Sequence, residues 1–229
     1  MKAERGSFLL IVSGAVCIAA AAVLVLFNIF DGERAYKASI GILAQLDPVI
    51  NMAASGGKTR GGTGTDESEK NIALAQSMPT VLIGGYAYIG EIEIPSLQIR
   101  LPVMADWDYD RLKISPCHYS GSYLTDDLVI CGHNYQRHFS PIKWINIGAE
   151  VNLITADGQV IRYTVSNRET IQPTAVKEMV QNRKNTSEEG TAEDWDLTLF
   201  TCNTGGQTRC AVRCIRTEGM TEHTGEKAI

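Results

Sequence analysis

Residues 8–30 form an apolar run of 23 residues, relieved only by small or weakly polar positions such as Ser13, Gly14 and Asn28, and nothing else in the chain limits its architecture so tightly. At about 1.5 Å per residue, a helix of that length spans the roughly 30 Å hydrocarbon core of a bilayer. A cleaved signal peptide has a shorter apolar region ending in a small-x-small site, whereas this run ends in Asn28-Ile29-Phe30-Asp31. Lys2 and Arg5 precede it, and Arg34 and Lys37 follow among Asp31 and Glu33, a modest bias toward a cytoplasmic N-terminus. The expectation is a single-pass anchor at 8–30, with residues 1–7 in the cytoplasm and the remainder extracellular at the cell membrane.

The rest of the 229 residues suffice for one core. Tyr36, Ile40 and Leu43 fall at helical spacing, so 31–47 reads as a helix leaving the bilayer, with Pro48 ending it. Residues 53–70 contain Ser55-Gly56-Gly57 and Gly61-Gly62-Thr63-Gly64 and few large apolar side chains, the composition of a flexible stalk within a juxtamembrane segment of 31–78. From residue 79 the pattern changes to short runs of period two. Ile92 and Ile94 alternate with glutamates, Pro95-Ser96 interrupts, and Leu97, Ile99 and Leu101 resume. Residues 151–156 and 159–165 flank Asp157-Gly158, which suits a type I′ hairpin. Residues 128–131, 197–201 and 210–215 read as further strands, while helical pattern is confined to 108–114 and 175–180. Many short strands imply a mainly β fold closed, or nearly closed, into a barrel over 79–217. Residues 182–193 read as a polar loop and 218–229 as a disordered tail.

A net charge of −5 supplies no basic surface for phosphates and argues against nucleic-acid partners. Cys17 lies in the apolar run and the other five cysteines are an odd number, so at least one external thiol is unpaired within the chain. Cys117-His118 with Cys131 and His133 lack the paired spacing of a zinc site, and Asp106, Asp108, Asp110, Asp126 and Asp127 lack EF-hand spacing and read as a solvated acidic face. No metal or other cofactor is expected.

Two apolar runs end in reactive side chains: Leu128-Val129-Ile130-Cys131-Gly132-His133-Asn134 and Leu197-Thr198-Leu199-Phe200-Thr201-Cys202. Each places its thiol or imidazole where a strand emerges into a loop. The second run turns through 203–208 and returns as Arg209-Cys210-Ala211-Val212-Arg213-Cys214. If that turn is an antiparallel hairpin, Arg209 lies near Cys202 and Arg213 lies roughly 13 Å further along. Cys210 and Cys214 then share the apolar face.

These segments resemble the sortases of Gram-positive bacteria. The resemblance rests on Ile92-Glu93-Ile94-Pro95-Ser96-Leu97, His118-Tyr119-Ser120-Gly121-Ser122, Val129-Ile130-Cys131-Gly132-His133-Asn134 and Thr198-Leu199-Phe200-Thr201-Cys202, followed by an arginine, in order over about residues 84–216. It implies a sortase-like closed eight-stranded β-barrel with short helices behind the anchor. It also implies cleavage of a sorting motif such as Leu-Pro-x-Thr-Gly on secreted proteins, and their transfer to an amine of the cell wall or a pilin lysine. By resemblance Cys202 is the nucleophile, His133 the general acid and base, and Arg209 the group that holds substrate and stabilises the oxyanion, with Thr201 and Asn134 as substrate-binding positions. The Cys202 to Arg209 gap is short for the family, which keeps Arg213 in reserve, and Cys131 stands where a small residue such as alanine is common.

The chemistry needs these residue types. An ordinary thiol of pKa about 8.5 is only slightly ionised at neutral pH, so a nearby cation must favour the thiolate. Arginine keeps its charge and presents a rigid fork of donors, and histidine titrates in the range where it protonates a leaving amine and deprotonates an incoming one. His118 matches a second histidine seen near the barrel mouth in many sortases, while His138 and His223 read as solvated. Two rivals stand beside the transpeptidase: a cysteine peptidase that passes its acyl group to water, and a noncatalytic peptide-binding module.

Overall fold

A computed structural model describes residues 2–55, 77–182 and 194–217. It begins with one long helix, α1 (Lys2–Ala54). The strands are β1 (Val81–Ile83), β2 (Tyr86–Ile94), β3 (Ile99–Met104), β4 (Cys117–Ser120), β5 (Leu128–Cys131), β6 (Glu150–Thr155), β7 (Val160–Ile171), β8 (Leu197–Cys202) and β9 (Arg209–Arg216). Short helices α2 (Tyr109–Leu112) and α3 (Val176–Val180) lie in two of the connections.

The nine strands run β1-β2-β3-β4-β5-β8-β9-β7-β6, and a further pairing of β2 with β6 closes the ring. β1 is a short extension on β2, so eight strands make the closed barrel. Closure removes the free edges that an open sheet exposes. β2 pairs with β3 along one side and with β1 and then β6 along the other, and it carries a bulge at Tyr88/Gly90. Gly90 holds φ +141, and a Cβ there would lie 2.0 Å from the Ile154 carbonyl oxygen. Only glycine fits that crossing. Alternate residues fill the interior: Ile92, Ile94, Leu101, Leu153, Leu199 and Val212 are all buried in one cluster, joined by Cys210 and Cys214.

Two local expectations need correcting. The hairpin between β6 and β7 lies where Asp157-Gly158 places it, but Asp157 is not among the residues with positive φ. Thr155 N–H donates to the Gln159 carbonyl at 2.9 Å and Gly158 N–H to the Thr155 carbonyl at 2.9 Å. This is a longer loop than a two-residue type I′ turn, with only the glycine left-handed.

The second correction is larger: α1 runs straight through Pro48. Proline at that position removes the bond to the Ala44 carbonyl at a cost of about 3 kcal/mol. The helix persists because Gly32, Ala35, Ser39, Leu43, Leu46 and Ile50 form a buried stripe at helical period against the barrel. Leu46 and Ile50 pack with Ile83, Tyr88, Met104, Cys117 and Cys131. Burying Leu43, Leu46 and Ile50 contributes about 5–9 kcal/mol, which outweighs the proline. Asp47, directly before it, pairs with Arg100 at 2.6 Å, and Arg100 in turn pairs with buried Glu91 at 2.9 Å. Ile40, read from the sequence as part of the apolar stripe, is 47% exposed.

Among the described residues α1 is the one helix long and apolar enough to cross a membrane, and its most apolar window is not buried against the protein at all. What joins that window to the barrel is therefore a docked helix. The glycine-rich stalk lies, beyond residue 55, outside the described residues. So do the tail at 218–229 and, apart from Asn182, the polar loop at 182–193. Asn182 itself is buried, donating to the Asp126 and Trp195 carbonyls at 2.9 and 2.8 Å.

Candidate active site

β5 and β8 are parallel neighbours, with Cys131 opposite Phe200. Gly132 N–H extends the ladder by donating to the Phe200 carbonyl at 3.0 Å. Carried two residues on, the same register sets His133 beside Cys202. On the other side of β8, antiparallel β9 sets Arg209 opposite Cys202. Neighbouring strands lie roughly 4.8 Å apart, so thiol and guanidinium spring from paired positions on β8 and β9, and the imidazole from the loop two residues past the end of β5. All three side chains, with Thr201, line one cavity of about 230 Å³.

Gly132 matters through its smallness. A Cβ at that position would lie 2.4 Å from the Phe139 ring, which is fully buried beneath the histidine loop. His133 stacks on Tyr135 with ring centroids 3.9 Å apart and planes 6° from parallel. Its Nδ1 is buried and has no hydrogen-bond partner among the described residues. Burial lowers the His133 pKa below the ordinary histidine value; Asp31 opposes the shift and Lys113 adds to it.

Among the five cysteines beyond α1, Cys202 alone is half-buried, and the others are buried. Burial pushes the Cys117 thiol up to about 12 and raises Cys131, Cys210 and Cys214 as well. Those sulfurs are held as inert thiols in the core. None of the six cysteines is in a disulfide.

Arg209 is steadied by its own loop, its Nη1 donating to the Gly206 and Thr208 carbonyls at 2.9 and 3.2 Å. That loop is tight: Asn203 N–H donates to the Thr208 carbonyl at 2.9 Å, and Asn203 Nδ2 to Thr208 Oγ1 at 2.8 Å. A closed turn of this kind accounts for the short interval between Cys202 and Arg209. Arg213 is no reserve for it. Only 3% exposed, it pairs with Glu169 at 2.6 Å and donates to Thr198 Oγ1, to the Met179 carbonyl and to the Glu178 carbonyl.

The remaining expected positions divide. Thr201 is buried, with its hydroxyl unpartnered among the described residues. Asn134 does not line the cavity, and its Oδ1 accepts from Lys143 Nζ. His118 is tied between the Ala105 and Gly121 carbonyls at 3.0 and 2.8 Å, also outside the lining. His138, expected in solvent, is fully buried, with Nε2 3.4 Å from Ser39 Oγ of α1. His223 lies outside the described residues. The acidic residues are not simply a solvated face: Asp108 caps α2 by accepting from Asp110 and Arg111 N–H, Asp126 pairs with Arg216 at 2.9 Å, and Asp127 accepts from Ser122 N–H.

Sequence reasoning missed the aromatic wall of the cavity, where Trp107, Tyr119 and Phe200 pack edge to face or tilted at 5.1 Å separations. It also missed the apolar rim given by Pro173, Val176 and Met179. The bare signal for the wall was Trp107, an aromatic inside the acidic stretch Asp106-Trp107-Asp108-Tyr109-Asp110.

The family model described as "Sortase domain" matches residues 92–217. Among solved structures, sortase C1 from Streptococcus agalactiae is similar at TM-score 0.53 and 20% identity, covering 80% of this chain and 99% of that one. Sortase A from Corynebacterium diphtheriae is similar at TM-score 0.50 and 18% identity, covering 84% and 94%. A lid mutant of the latter gives TM-score 0.50 and 20% identity over 79% and 97%. At these identities the likeness to solved structures speaks for the fold. No curated protein matches the chain.

Proposed function

Since the chain belongs to the sortase family, we propose that it is a membrane-anchored cysteine transpeptidase in which Cys202 is the nucleophile, His133 the general acid and base, and Arg209 the oxyanion-stabilising group. The observation that carries this reading is the pair of registers flanking β8, parallel to β5 and antiparallel to β9, which aligns the three residues along one cavity wall.

The steps follow from that arrangement. The Cys202 thiol passes its proton to His133, and the thiolate attacks the scissile carbonyl carbon. The oxyanion that forms is met by Arg209, whose Nη2 and Nε carry no bond among the described residues. Collapse breaks the C–N bond, the departing amine takes the proton from the His133 imidazolium, and a thioester remains on Cys202. An incoming amine then attacks the thioester, His133 receives its proton, and the thiolate is expelled. Thr201 meets the substrate backbone inside the cavity, and Asn134, held by Lys143, contacts substrate outside the cavity lining.

The substrate is a secreted protein bearing a Leu-Pro-x-Thr-Gly-like sorting signal, and the acceptor is an amine of a cell-wall precursor or a pilin lysine. Residues 8–30 cross the cell membrane once, leaving the barrel outside. The test is mass spectrometry of the chain incubated with a Leu-Pro-x-Thr-Gly peptide, with and without triglycine or a lysine-containing peptide. A thioacyl adduct on Cys202, absent from a folded Cys202→Ala variant, and an amine-dependent ligated product are expected. An adduct that persists in Cys202→Ala overturns the nucleophile; hydrolysis with every amine offered replaces the transpeptidase by a peptidase.

A further inference from the structure

Histidines that move protons in an active site usually have the second ring nitrogen held by a partner that fixes the plane of the ring. His133 has no such partner on Nδ1 among the described residues, although that atom is buried. Its orientation comes instead from the face-to-face contact with Tyr135 at 3.9 Å. Tyr135 is held from outside the barrel. Its hydroxyl donates to Oδ2 of Asp31 on α1, and its ring lies against Gly32, where even an added Cβ would come within 3.4 Å.

The rest of this loop is fastened to the same helix. Arg137 pairs with Glu33 at 3.2 Å and lies 3.8 Å over the Tyr36 ring, and His138 packs on Ser39. Asp31 is the first residue after the apolar run at 8–30.

We propose that Tyr135, held by Asp31, is the positioning residue of His133, so that the helix carrying the membrane anchor completes the proton-transfer apparatus of the barrel. The inference rests on the reading of His133 as general acid and base. The charged and titratable groups around the imidazole are Asp31 and Arg34 from α1, Lys113 after α2, Tyr135 and His138 from its own loop, Cys202 from β8 and Arg209 from β9. Of these Asp31 is the acid that favours the imidazolium, and Lys113 works against it.

The experiment uses the full chain in detergent micelles. The rate of Cys202 alkylation by iodoacetamide is followed against pH, and kcat and KM are measured with a Leu-Pro-x-Thr-Gly peptide. Asp31→Asn keeps an acceptor for the tyrosine but removes the charge that favours the imidazolium, so the step assigned to His133 moves to lower pH. Tyr135→Phe keeps the stack and lowers kcat by about three- to tenfold, while Tyr135→Leu loses the stack and lowers kcat by about a hundredfold, with KM little changed. Melting temperatures of the three variants are recorded beside these values. Parent-like kcat in Tyr135→Leu together with an unmoved pH step in Asp31→Asn overturns the inference. So does a loss of rate that merely follows a lowered melting temperature while the pH profile stays in place. His133→Ala separates the two levels: an unchanged alkylation profile and retained turnover in that variant refute the acid and base assignment itself, whatever Tyr135 does.

Discussion

Replacing Arg213 by alanine distinguishes a structural arginine from Arg209, proposed to act on substrate and separated from it by four positions on the same strand. Arg213 is 3% exposed and makes charge-assisted contacts to Glu169, Thr198 and two backbone carbonyls, with its guanidinium 5.1 Å from the Trp195 ring centre. Breaking a buried ion pair from one side costs about 3–5 kcal/mol, because the partners left behind stay desolvated. Glu169 is about a third exposed and recovers some hydration, which places the loss near the lower end. A loss of about 3 kcal/mol lowers the melting temperature of a domain this size by about 10 °C. Arg209→Ala gives up only hydrogen bonds to its own turn, a loss of about 1 kcal/mol, yet under the proposed function it lowers acyl-enzyme formation by about a hundredfold or more. Scanning calorimetry and peptide capture on both variants read the two effects separately. Equal melting temperatures, or a lower one for Arg209→Ala, refute this division of labour.

Three further outcomes are expected. The buried His138 titrates at about 4 in the folded chain against about 6.5 when unfolded, so its contribution is complete above pH 6.5 and is lost as pH falls toward 4. Its full size is about 3 kcal/mol, and the difference in urea stability between the parent and His138→Asn shrinks over that window. Leu46→Ala leaves a void between α1 and the barrel costing about 2–5 kcal/mol, and limited proteolysis within residues 31–54 accelerates accordingly. In native micelles, a soluble maleimide modifies Cys202 and leaves Cys117, Cys131, Cys210 and Cys214 untouched until urea unfolds the barrel; early labelling of Cys131 contradicts the packing described for it.

Alternation along the strands made the barrel legible, since a half-buried strand repeats every two residues whatever its neighbours are. That Cys202 and His133 meet at one cavity was legible for a related reason: each stands where an apolar strand ends in a loop. Arg209 followed from counting along a hairpin. What stayed hidden depends on contacts between distant parts of the chain. Nothing near Pro48 reveals that Leu46 and Ile50 will be pinned by the barrel, and local rules therefore end the helix too early. Nothing near His138 or Asn182 reveals their burial. The bond from Tyr135 to Asp31 spans 104 positions and leaves no periodic trace at either end.

The continuity of α1 has a geometric consequence for how the molecule meets a bilayer. With residues 8–30 embedded as proposed, the shaft between lipid and barrel behaves as a spacer of fixed pitch. One alanine inserted next to Phe30 would swing the cavity mouth by about 100° about the shaft and raise it about 1.5 Å. Under the proposed function, the direction from which a substrate reaches the cavity is thus written into the helix's residue count.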